Sequence, residues 1–579
     1  MRIALLAVTA AGRRAAAEVA TAVPGSEMVA LDDLAARWPV LDGAVFFLAT
    51  GATVRLVAPL LASKHTDPGV VCVDEARRFA VALAGGHAGG ANALARRVAA
   101  VLGAEPVITT ASDSVGATGL DEVVEILGAA VDGDLAAAGT ALLDGALEVR
   151  NPLGFPLPAL GTVAGALSGS DPGGPPPPAP ARQVLAVTDR LPGPPRADPA
   201  GPPVTRLVAP TLVVGIGSAR GVPAGAVTSA LRRLEADHGF DLRAVRAYAS
   251  VDLKAGEAGI LAAIAPATLH TYPAAVLAEV GVPNPSEIVR AEVGTPSVAE
   301  AAALHAAREL APGATVELVV EKLKGDNVTV AVARIRPRGR LAVVGLGPGA
   351  GDLRVPRAEA ELRRAAVVVG LDQYVEQVRH LLRPGTEVRA SGLGDEEQRA
   401  AEAVALAAKG QAVALIGSGD AGIYAMGSPA LQQAGPDVEV VGVPGVTAAL
   451  AAASLLGAPL GHDHVLISLS DLHTPWEVIL RRVVAAAEAD LVACFYNPRS
   501  RDRHWQLGAA LDTIRAHRPE TTPVGAVRQA GRPGQRVWTA PITEFDPAEV
   551  DMLTTVVVGS SATRMVAGRM VTPRGYRWS

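Results

Sequence analysis

AVALIGSGDAGIYAMG occupies residues 412–427, and LAVVGLGPGAGDL occupies residues 341–353. In each stretch an apolar run of strand length ends in a glycine-rich turn, Gly417–Asp420 in the first and Gly345–Gly349 in the second. Glycine at such a turn lets a ligand or a second backbone segment approach the peptide groups closely. The turn at Gly345–Gly349 lacks the third glycine at the spacing of a dinucleotide fingerprint, and Pro348 is foreign to one, which disfavours NAD. Together they predict an α/β fold that binds a different ligand at its strand ends.

Strand-like runs and helical patterns alternate along most of the chain, for example GAVFFLATG from residue 43 and ANALARRVAAVLGA from residue 91. Alternation of this kind predicts parallel sheets covered by helices, in Rossmann-like α/β modules. A proline-rich stretch from Gly169 to about Pro203 interrupts the pattern, although QVLAVTDR inside it resembles a strand. A second break, Arg334–Arg340, precedes a new strand. The predicted domains are residues 1–145, a middle region and linker at 146–205, residues 206–336, and residues 340–579.

Composition excludes several classes of protein. The 579 residues carry 52 basic and 58 acidic side chains, and this net charge of −6 provides no electrostatic footprint for nucleic acid. Apolar runs fall short of the ~20 residues that span a bilayer, and MRIALLAVTAAGRR is interpreted as a first strand and helix start, which favours a cytoplasmic enzyme. Cys72 and Cys494 each lie in a strand-like run, so buried thiols are expected and a protein metal site is not.

Two further motifs complete a pattern in the C-terminal part of the chain: VEVVGVPGVTAALAAASLLGAPL at residues 438–460 and LVACFYNPRSRDR at residues 491–503. With the two glycine turns, in this order, they resemble the tetrapyrrole methylase family over about 240 residues. YNPRSRDR is most similar to the branch that methylates carbon 17 of precorrin-3B or cobalt-factor III. The resemblance implies a two-lobed αβα fold that holds S-adenosylmethionine between its lobes. The cofactor contacts it implies are Leu346, Gly347, Pro348, Asp420, Ile423, Thr447, Ala448, Tyr496, Gln529, Thr554 and Thr555.

In this branch methylation is implied to accompany contraction of the macrocycle, which requires proton movement. His462 and His464 are the predicted catalytic groups, with His473 and Asp471 as further candidates, because histidine carries protons near neutral pH. The alternative is that HDH merely begins a strand. Three arginines are predicted to bind the carboxylates of the substrate, since a guanidinium pairs with a carboxylate at two points; a solvated basic loop is the alternative. They are Arg499, Arg501 and Arg503.

The N-terminal half carries a second resemblance. Residues 63–113, SKHTDPGVVCVDE through VITTASD, and the later motifs GIGSARGVP, ASVDLKAGEAGI and VPNPSEIV are similar to cobalt-precorrin-5A hydrolase. That family opens a ring lactone with loss of acetaldehyde. His87, in a glycine-rich turn before a helix, is the predicted base, because the amides of the turn and the helix start are suited to hold an oxyanion; a helix-capping role is the alternative. Lys64, Lys254 and Glu257 are further catalytic candidates, and Asn92 is a predicted substrate contact.

The two resemblances depart from their families at a few positions. Gly85 stands where the hydrolase family more often has serine, and Ser218 and Ala219 stand where cysteine and arginine are expected. The combined expectation is a bifunctional enzyme of cobalamin synthesis, acting on a tetrapyrrole and forming a homodimer. One alternative is a methyltransferase whose N-terminal half only binds tetrapyrrole. Another keeps the methylase fold with a different acceptor, and a third is a scaffold that binds no cofactor.

Overall fold

Strands and helices alternate along most of the chain in the computed structural model, as the apolar runs predict. The structure describes residues 2–63, 66–86, 89–110, 112, 115–161, 182–193, 201–500 and 503–576. Contacts divide the chain into two units. Unit 1 contains residues 1–337 and 383–385, and unit 2 contains residues 338–382 and 386–579. No helix in the described ranges is long and apolar enough to cross a membrane.

The first sheet of unit 1 has the order β2-β1-β3-β4-β5-β6, and every neighbouring pair is parallel except β4 with β5. Its strands are β1 (Ile3–Ala7), β2 (Ser26–Met28), β3 (Gly43–Phe47), β4 (Gly69–Val73), β5 (Phe79–Ala84) and β6 (Glu105–Val107). The accompanying helices are Ala10–Ala22, Leu34–Arg37, Thr50–Val57 and Ala91–Leu102, with short 3-10 turns at Leu31–Asp33 and Trp38–Val40. Cys72 lies in β4 and is buried, as predicted.

A second, four-stranded sheet follows in the order β7-β10-β9-β8. Its strands are β7 (Ala130–Asp132), β8 (Leu147–Arg150), β9 (Gln183–Thr188) and β10 (Val204–Val208), and its helices are Leu120–Leu127 and Leu135–Leu143. The strand predicted in QVLAVTDR is thus confirmed as β9. This sheet contains residues from both sides of the boundaries predicted near residues 145 and 205. Its edge strand β7 precedes residue 145 and pairs antiparallel with β10, which contains residue 205. Most of the predicted proline-rich spacer lies outside the described residues.

The third sheet of unit 1 has the order β13-β12-β11-β15-β14. Its strands are β11 (Leu212–Ser218), β12 (Val245–Val251), β13 (Leu269–Tyr272), β14 (Val316–Lys324) and β15 (Val328–Ile335). Helices Ala224–Ala236, Ala258–Ile264, Ala274–Ala278, Glu287–Val293 and Val298–Leu310 accompany it, with 3-10 turns at Leu242–Ala244 and Asp252–Lys254. The alanine-rich helix Val298–Leu310 lies so close to β11 that a Cβ on Gly215 would be 1.8 Å from the carbonyl oxygen of Ala299.

A buried group of charged side chains connects the second and third sheets of unit 1. Asp189, which is 1% exposed, accepts hydrogen bonds from Arg334 Nε at 2.7 Å and from Thr211 Oγ1 at 2.9 Å. Arg206 Nη2 donates to Asp241 Oδ2 at 2.9 Å, and both side chains are buried. Each charge has an opposite charge beside it, as a buried charge requires. These pairs therefore join the two sheets.

Unit 2 begins with a fully parallel sheet in the order β18-β17-β19-β16-β20. Its strands are β16 (Gly339–Gly345), β17 (Val367–Leu371), β18 (Glu387–Ser391), β19 (Ala412–Gly417) and β20 (Val438–Val443). Helices Pro356–Arg364, Asp372–Val378, Glu396–Ala408 and Gly427–Gln433 accompany it, with 3-10 turns at Gly351–Leu353 and Arg379–Leu381. Alternate side chains of β16 join two different apolar clusters, so both faces of the sheet are covered. We call this part the first lobe.

The second lobe of unit 2 has the sheet order β22-β23-β26-β24-β25, in which only β22 and β23 run parallel. Its strands are β22 (His464–Ser468), β23 (Val492–Tyr496), β24 (Pro523–Arg528), β25 (Arg536–Pro541) and β26 (Thr554–Val558). A small sheet contains β21 (Gly457–Ala458), β27 (Arg564–Val566) and β28 (Arg569–Val571). The helices are Ala448–Leu456, Trp476–Glu488 and Gln506–Arg515, with a 3-10 turn at Pro547–Glu549. Cys494 in β23 is buried, and burial raises its pKa to about 12.

Candidate functional site in unit 2

Three glycine-rich turns meet at the carboxyl edge of the parallel sheet in the first lobe. A Cβ on Gly445 would lie 2.1 Å from the carbonyl oxygen of Gly419, and a Cβ on Gly345 would lie 2.7 Å from the same oxygen. Gly347 and Gly419 exchange two backbone hydrogen bonds, of 3.1 and 2.8 Å. Only glycine permits this approach, because any side chain would overlap backbone atoms. The turns after β16, β19 and β20 therefore form one continuous backbone surface.

Asp420 joins two of these turns through its carboxylate. Oδ1 accepts from the backbone N–H of Gly422 at 2.8 Å, and Oδ2 accepts from that of Gly445 at 3.0 Å. Asp420 therefore has the contacts of a turn aspartate, and these do not exclude its predicted contact with the cofactor. The carboxylate is held by these backbone N–H groups. Both functions are compatible, since a carboxylate has lone pairs for more than two donors.

A phenol and a hydroxyl meet where the two lobes approach each other. Tyr496, the last residue of β23, contacts Thr447 Oγ1 through its Oη and accepts from the backbone N–H of Ala449 at 3.0 Å. Thr447 is 6% exposed and immediately precedes the helix Ala448–Leu456. Burial raises the pKa of Tyr496, so its phenol remains protonated at neutral pH. The pair places neutral hydrogen-bonding groups beside the turn after β20.

Tyr424, to which the sequence alone assigns no function, makes a further connection between the lobes. Its Oη donates to the carbonyl oxygen of Leu466 in β22 at 2.7 Å, and its ring centroid is 5.3 Å from that of Tyr496. The residue has a φ of +50°, a left-handed conformation that is unusual for tyrosine. Its position in the run GIYAMG, where an aromatic side chain follows a glycine turn, is the only signal in the sequence. Ile423 beside it is partly exposed.

The residues predicted from the last part of the chain have mainly structural contacts. Gln529 has a φ of +51°, and its Oε1 accepts from Arg528. Thr554 Oγ1 donates to Asp551 Oδ1 at 2.7 Å, while Thr555 is 8% exposed within β26. Strand β26 pairs with β24, so these residues lie on the side of the second lobe that carries the turn between β24 and β25.

The first-lobe turns fit S-adenosylmethionine. A nucleoside with an amino-acid tail needs close backbone approach and neutral hydrogen-bonding groups, and a sulfonium is favoured beside a carboxylate. The structure supplies the glycine surface described above, the hydroxyls of Thr447 and Tyr496, and the carboxylate of Asp420. Leu346, which is 1% exposed, contributes apolar packing next to Gly347 and Pro348.

The predicted acid–base groups lie at the two ends of β22: His462 and His464 at its amino end, and Asp471 and His473 beyond its carboxyl end. His464 is the first residue of β22 and is exposed, as is His462, whose Nδ1 accepts from the backbone N–H of Asp463 at 2.8 Å. Ser468 lies four positions further along the strand than His464, about 13 Å at ~3.3 Å per residue. Tyr496 ends β23, which runs parallel to β22, and the glycine turns follow the carboxyl ends of first-lobe strands, so the structure does not bring His462 and His464 to them.

His473 and Asp471 follow the carboxyl end of β22 instead. His473 lines a cavity together with Leu472 and residues 394–398. Asp471 Oδ2 accepts from Gln506 Nε2 at 2.9 Å. These two candidates therefore lie on the loops that extend from the carboxyl ends of the strands.

The arginines of the YNPRSRDR loop are engaged within the second lobe. Arg499 Nη1 donates to the carbonyl oxygen of Pro547 at 3.1 Å. Arg503 donates to Ser470 Oγ at 3.2 Å and to the carbonyl oxygen of Asn497 at 3.1 Å. Their guanidinium groups stabilise the loop, and substrate contacts by them remain a prediction. Arg501 lies outside the described residues.

In unit 1, Lys254 and Glu257 form a pair that closes the turn after β11. Lys254 Nζ donates to Glu257 Oε2 at 3.1 Å, and Glu257 Oε1 accepts from the backbone N–H of Gly221 at 2.9 Å. The hydrogen bond from Lys254 is the main reason that the pKa of Glu257 is lowered. Ser218 Oγ, at the end of β11, is buried and has no hydrogen-bond partner among the described residues. Lys254 and Glu257 thus stabilise the turn itself, whereas Ser218 does not.

The remaining predicted residues of unit 1 are buried or undescribed. Asn92, a predicted substrate contact, is 2% exposed, and its Nδ2 donates to Thr110 Oγ1 at 3.2 Å, so it binds another part of the fold. Gly85 has a φ of +68°, which favours glycine, and a Cβ there would lie 3.2 Å from the carbonyl oxygen of Pro68. His87 and Lys64 lie outside the described residues. In the parts of the chain that the structure describes, no three metal-ligating side chains cluster.

Comparison with known protein families gives three matches. Residues 340–546 match the family described as Tetrapyrrole (Corrin/Porphyrin) Methylases. Residues 32–113 match Cobalamin synthesis G N-terminal, and residues 212–333 match Cobalamin synthesis G C-terminus.

Curated relatives match the C-terminal part. A Salmonella typhimurium protein named "Probable cobalt-factor III C(17)-methyltransferase" is 47% identical over 242 residues, 41% of this chain and 99% of the relative. "Cobalamin biosynthesis protein CobIJ" of Mycobacterium tuberculosis is 43% identical over 248 residues, and the match covers 41% of this chain and 48%, about half, of that protein. The solved structure titled "Crystal structure of the methyltransferase CobJ" is 37% identical, with a TM-score of 0.39, and covers 41% of this chain and 100% of its own.

The two αβα lobes and their glycine turns define unit 2 as a methyltransferase, and its relatives are named accordingly. The chain belongs to the tetrapyrrole (corrin/porphyrin) methylase family, whose members use S-adenosylmethionine. The preceding residues carry both cobalamin synthesis G regions, so the chain is a fusion of these regions with a tetrapyrrole methylase. The family resemblances inferred from the motifs are confirmed for both halves.

Proposed function

We propose that unit 2 transfers a methyl group from S-adenosylmethionine to carbon 17 of cobalt-factor III or precorrin-3B, with contraction of the ring. The observation that carries the proposal is the identity of 47%, which extends over 99% of a relative named for cobalt-factor III. The glycine surface and the Thr447–Tyr496 pair support it, because they are suited to the cofactor of such a reaction.

The residues of unit 2 have mainly to bind and orient the reactants. When bound, S-adenosylmethionine supplies an activated methyl group on a cationic sulfur. The backbone turns and Thr447 hold the donor in one orientation, which lowers the entropic cost of in-line transfer. Asp420 adds a negative charge beside the turns, and the buried side chain of Leu346 excludes water. Ile423, Ala448, Gln529, Thr554 and Thr555 complete the proposed contact set.

Ring contraction needs a proton carrier, and we propose His473 with Asp471 for this function in preference to His462 and His464. The reason is position. His473 follows the carboxyl end of β22 and lines a cavity, whereas His464 begins the same strand. Arg499 and Arg503 are proposed to hold substrate carboxylates by N–H groups beyond those that bond within the second lobe. Arg501 is proposed for the same function on the family resemblance.

An anaerobic incubation of the full chain with S-adenosylmethionine tests the activity. Cobalt-factor III and metal-free precorrin-3B are supplied in parallel, and product masses are followed. Gain of one methyl group on either substrate is expected. No methyl gain on either, with uroporphyrinogen III methylated instead, would refute the proposed acceptor while leaving the family intact.

For unit 1 we propose opening of the lactone of cobalt-precorrin-5A, with His87 as base and with Lys64, Lys254, Glu257 and Asn92 in supporting positions. The matches to both cobalamin synthesis G regions support this proposal. Methylation with ring contraction generates a lactone, and a hydrolase in the same chain acts later on such a lactone. Acetaldehyde released from cobalt-precorrin-5A by the full chain, and lost in His87→Ala, is the expected result.

A second candidate for unit 1 is a tetrapyrrole-binding module without hydrolysis. The contacts of Lys254 and Glu257 favour it, because both side chains are occupied in closing the turn after β11. Ser218 in place of the expected cysteine has the same implication. Saturable binding of cobalt-precorrin-5A without acetaldehyde release would support this candidate. A homodimer also remains our prediction, to be measured by analytical ultracentrifugation.

A further inference from the structure

Arg532 lies in the turn between β24 and β25 of the second lobe, and its guanidinium contacts the first lobe. Its Nε donates to the carbonyl oxygen of Pro348 at 2.6 Å, and its Nη2 donates to Ser418 Oγ at 2.7 Å. The guanidinium carbon is 5.8 Å from the ring centroid of Tyr374. Pro348, Ser418 and Tyr374 follow three different strands of the first-lobe sheet: β16, β19 and β17. One side chain thus contacts three first-lobe segments.

The backbone around Arg532 is shaped to admit it. A Cβ on Gly349 would lie 2.4 Å from Arg532 Cγ, so the aliphatic part of the arginine occupies the space that a side chain would fill. Gly531, with a φ of +69°, brings the turn against Ala350, whose Cβ would be 3.0 Å from one added to the glycine. Close packing of this kind is sensitive to small displacements. The turn is therefore seated directly on the segment after β16.

The hydrogen-bond partners of Arg532 are a carbonyl and a hydroxyl, both neutral. Arginine presents its N–H groups in a rigid planar fork, so two acceptors on different loops are fixed relative to each other. A lysine has no such fork and holds two acceptors less precisely. Pro348 adjoins Gly347, and Ser418 adjoins Gly419, the two glycines whose backbones are hydrogen-bonded to each other. Arg532 therefore acts on the same pair of turns that form the glycine surface.

We propose that Arg532 is a positioning residue that holds the turns after β16 and β19 in the conformation that receives S-adenosylmethionine. The inference rests on the proposed function, because it assigns those turns to the cofactor. Loss of the guanidinium leaves Pro348 and Ser418 without a shared donor, so the turns lose their fixed separation. Cofactor affinity then falls because the turns are displaced, although Arg532 itself makes no direct contact with the cofactor.

The test is calorimetric binding of S-adenosylhomocysteine and of 5′-methylthioadenosine to the full-length protein. The second ligand lacks the amino-acid portion. In Arg532→Ala we expect the affinity for both ligands to fall by a similar factor, about tenfold to hundredfold, the equivalent of one charge-assisted hydrogen bond. Arg532→Lys is expected to lie between this variant and the wild type. Added guanidinium ion is expected to restore part of the affinity of Arg532→Ala.

Arg536→Ala is the matched control from the same hairpin, because Arg536 pairs with the exposed Glu549 and stacks on Trp538. It is expected to bind both ligands as the wild type does, within about twofold, in keeping with the small effect of exposed ion pairs. Circular dichroism establishes that the variants fold. If Arg532→Ala does not fold, Arg532→Gln is measured in its place.

Three results would overturn the inference. Unchanged affinity in Arg532→Ala removes the positioning role. A loss confined to S-adenosylhomocysteine would mean that Arg532 contacts the amino-acid portion directly. An equal loss in Arg536→Ala would assign the effect to the hairpin as a whole. Failure of the wild type to bind either ligand, by contrast, refutes the assignment of the turns to the cofactor, and with it the proposed function.

Discussion

Charged side chains are held in opposite ways in two regions of the molecule, the junction of the second and third sheets in unit 1 and the glycine turns in unit 2. In unit 1, Asp189 pairs with Arg334, and Asp241 with Arg206, inside the fold. In unit 2, the charge of Asp420 is held by the N–H groups of Gly422 and Gly445, and that of Arg532 by neutral acceptors. A charge paired with its opposite is largely cancelled, whereas one held by backbone dipoles still acts on its surroundings. The first arrangement is suited to stability, and the second to a charged ligand.

The largest expected effect tests the glycine surface of unit 2. Gly445→Ala would place a Cβ 2.1 Å from the carbonyl oxygen of Gly419, so the turns after β19 and β20 must separate. We expect a loss of S-adenosylhomocysteine affinity of more than about a hundredfold, since overpacking costs ~1–3 kcal/mol and also displaces the turn. Calorimetric titration measures it. Gly442→Ala, in β20 with open space around it, is the control. Equal affinities in the two variants would contradict the shared backbone surface.

The next effect tests the buried charges of unit 1. Asp189→Ala leaves the guanidinium of Arg334 buried without its carboxylate, and we expect the free energy of unfolding of unit 1 to fall by about 3–5 kcal/mol. Urea unfolding followed by circular dichroism measures the change, with S-adenosylhomocysteine affinity as the measure for unit 2.

Asp237→Ala, which removes an exposed partner of Arg233, is the control and is expected to cost less than about 1 kcal/mol. The division of functions between the units would be wrong if Asp189→Ala weakened cofactor binding and left unfolding unchanged.

A smaller effect is expected from acid titration of Asp241, in the same buried group of charged side chains. Burial by itself would raise the pKa of Asp241, but hydrogen bonds from Arg243 and Arg206 outweigh it and hold the pKa at about 2. An unfolded aspartate has a pKa of about 3.9, so the carboxylate stabilises the fold above pH ~4, and this contribution is lost as the pH falls towards 2.

The expected contribution is about 2 kcal/mol. Unfolding free energies of the wild type and Asp241→Asn, measured between pH 5 and pH 2, are expected to converge as the pH falls. Curves that stay parallel through this range would show that the pKa of Asp241 in the folded protein is no lower than in the unfolded chain.

The smallest effect concerns His462 and His464. Both are exposed at the amino end of β22, so replacement of both by asparagine is expected to leave methyl transfer within about twofold of the wild type. His473→Asn is the comparison, and we expect it to lower the rate by about a hundredfold or more if its imidazole moves a proton. The rate of methyl gain on cobalt-factor III measures both. The opposite ranking would mean that His462 or His464, and not His473, is the proton carrier.

Local sequence predicted the elements but not their partners. QVLAVTDR was recognisable as a strand because its apolar run has strand length, and the structure confirms β9. Its neighbours β10 and β8 could not be predicted, since pairing joins segments far apart in the chain. The same limit applies to Arg532, whose partners Pro348 and Ser418 precede it by more than a hundred residues.

The sequence by itself determined the family, the α/β class and the glycine turns, because these depend on residue type, spacing and short-range periodicity. Only the tertiary structure decided which polar groups meet. It placed Asp420 against Gly445 and Thr447 against Tyr496. It also placed His462 and His464 at the amino end of β22, away from these residues. The physical reason is that hydrogen bonds and burial depend on distance in space, which the order of residues along a chain does not specify.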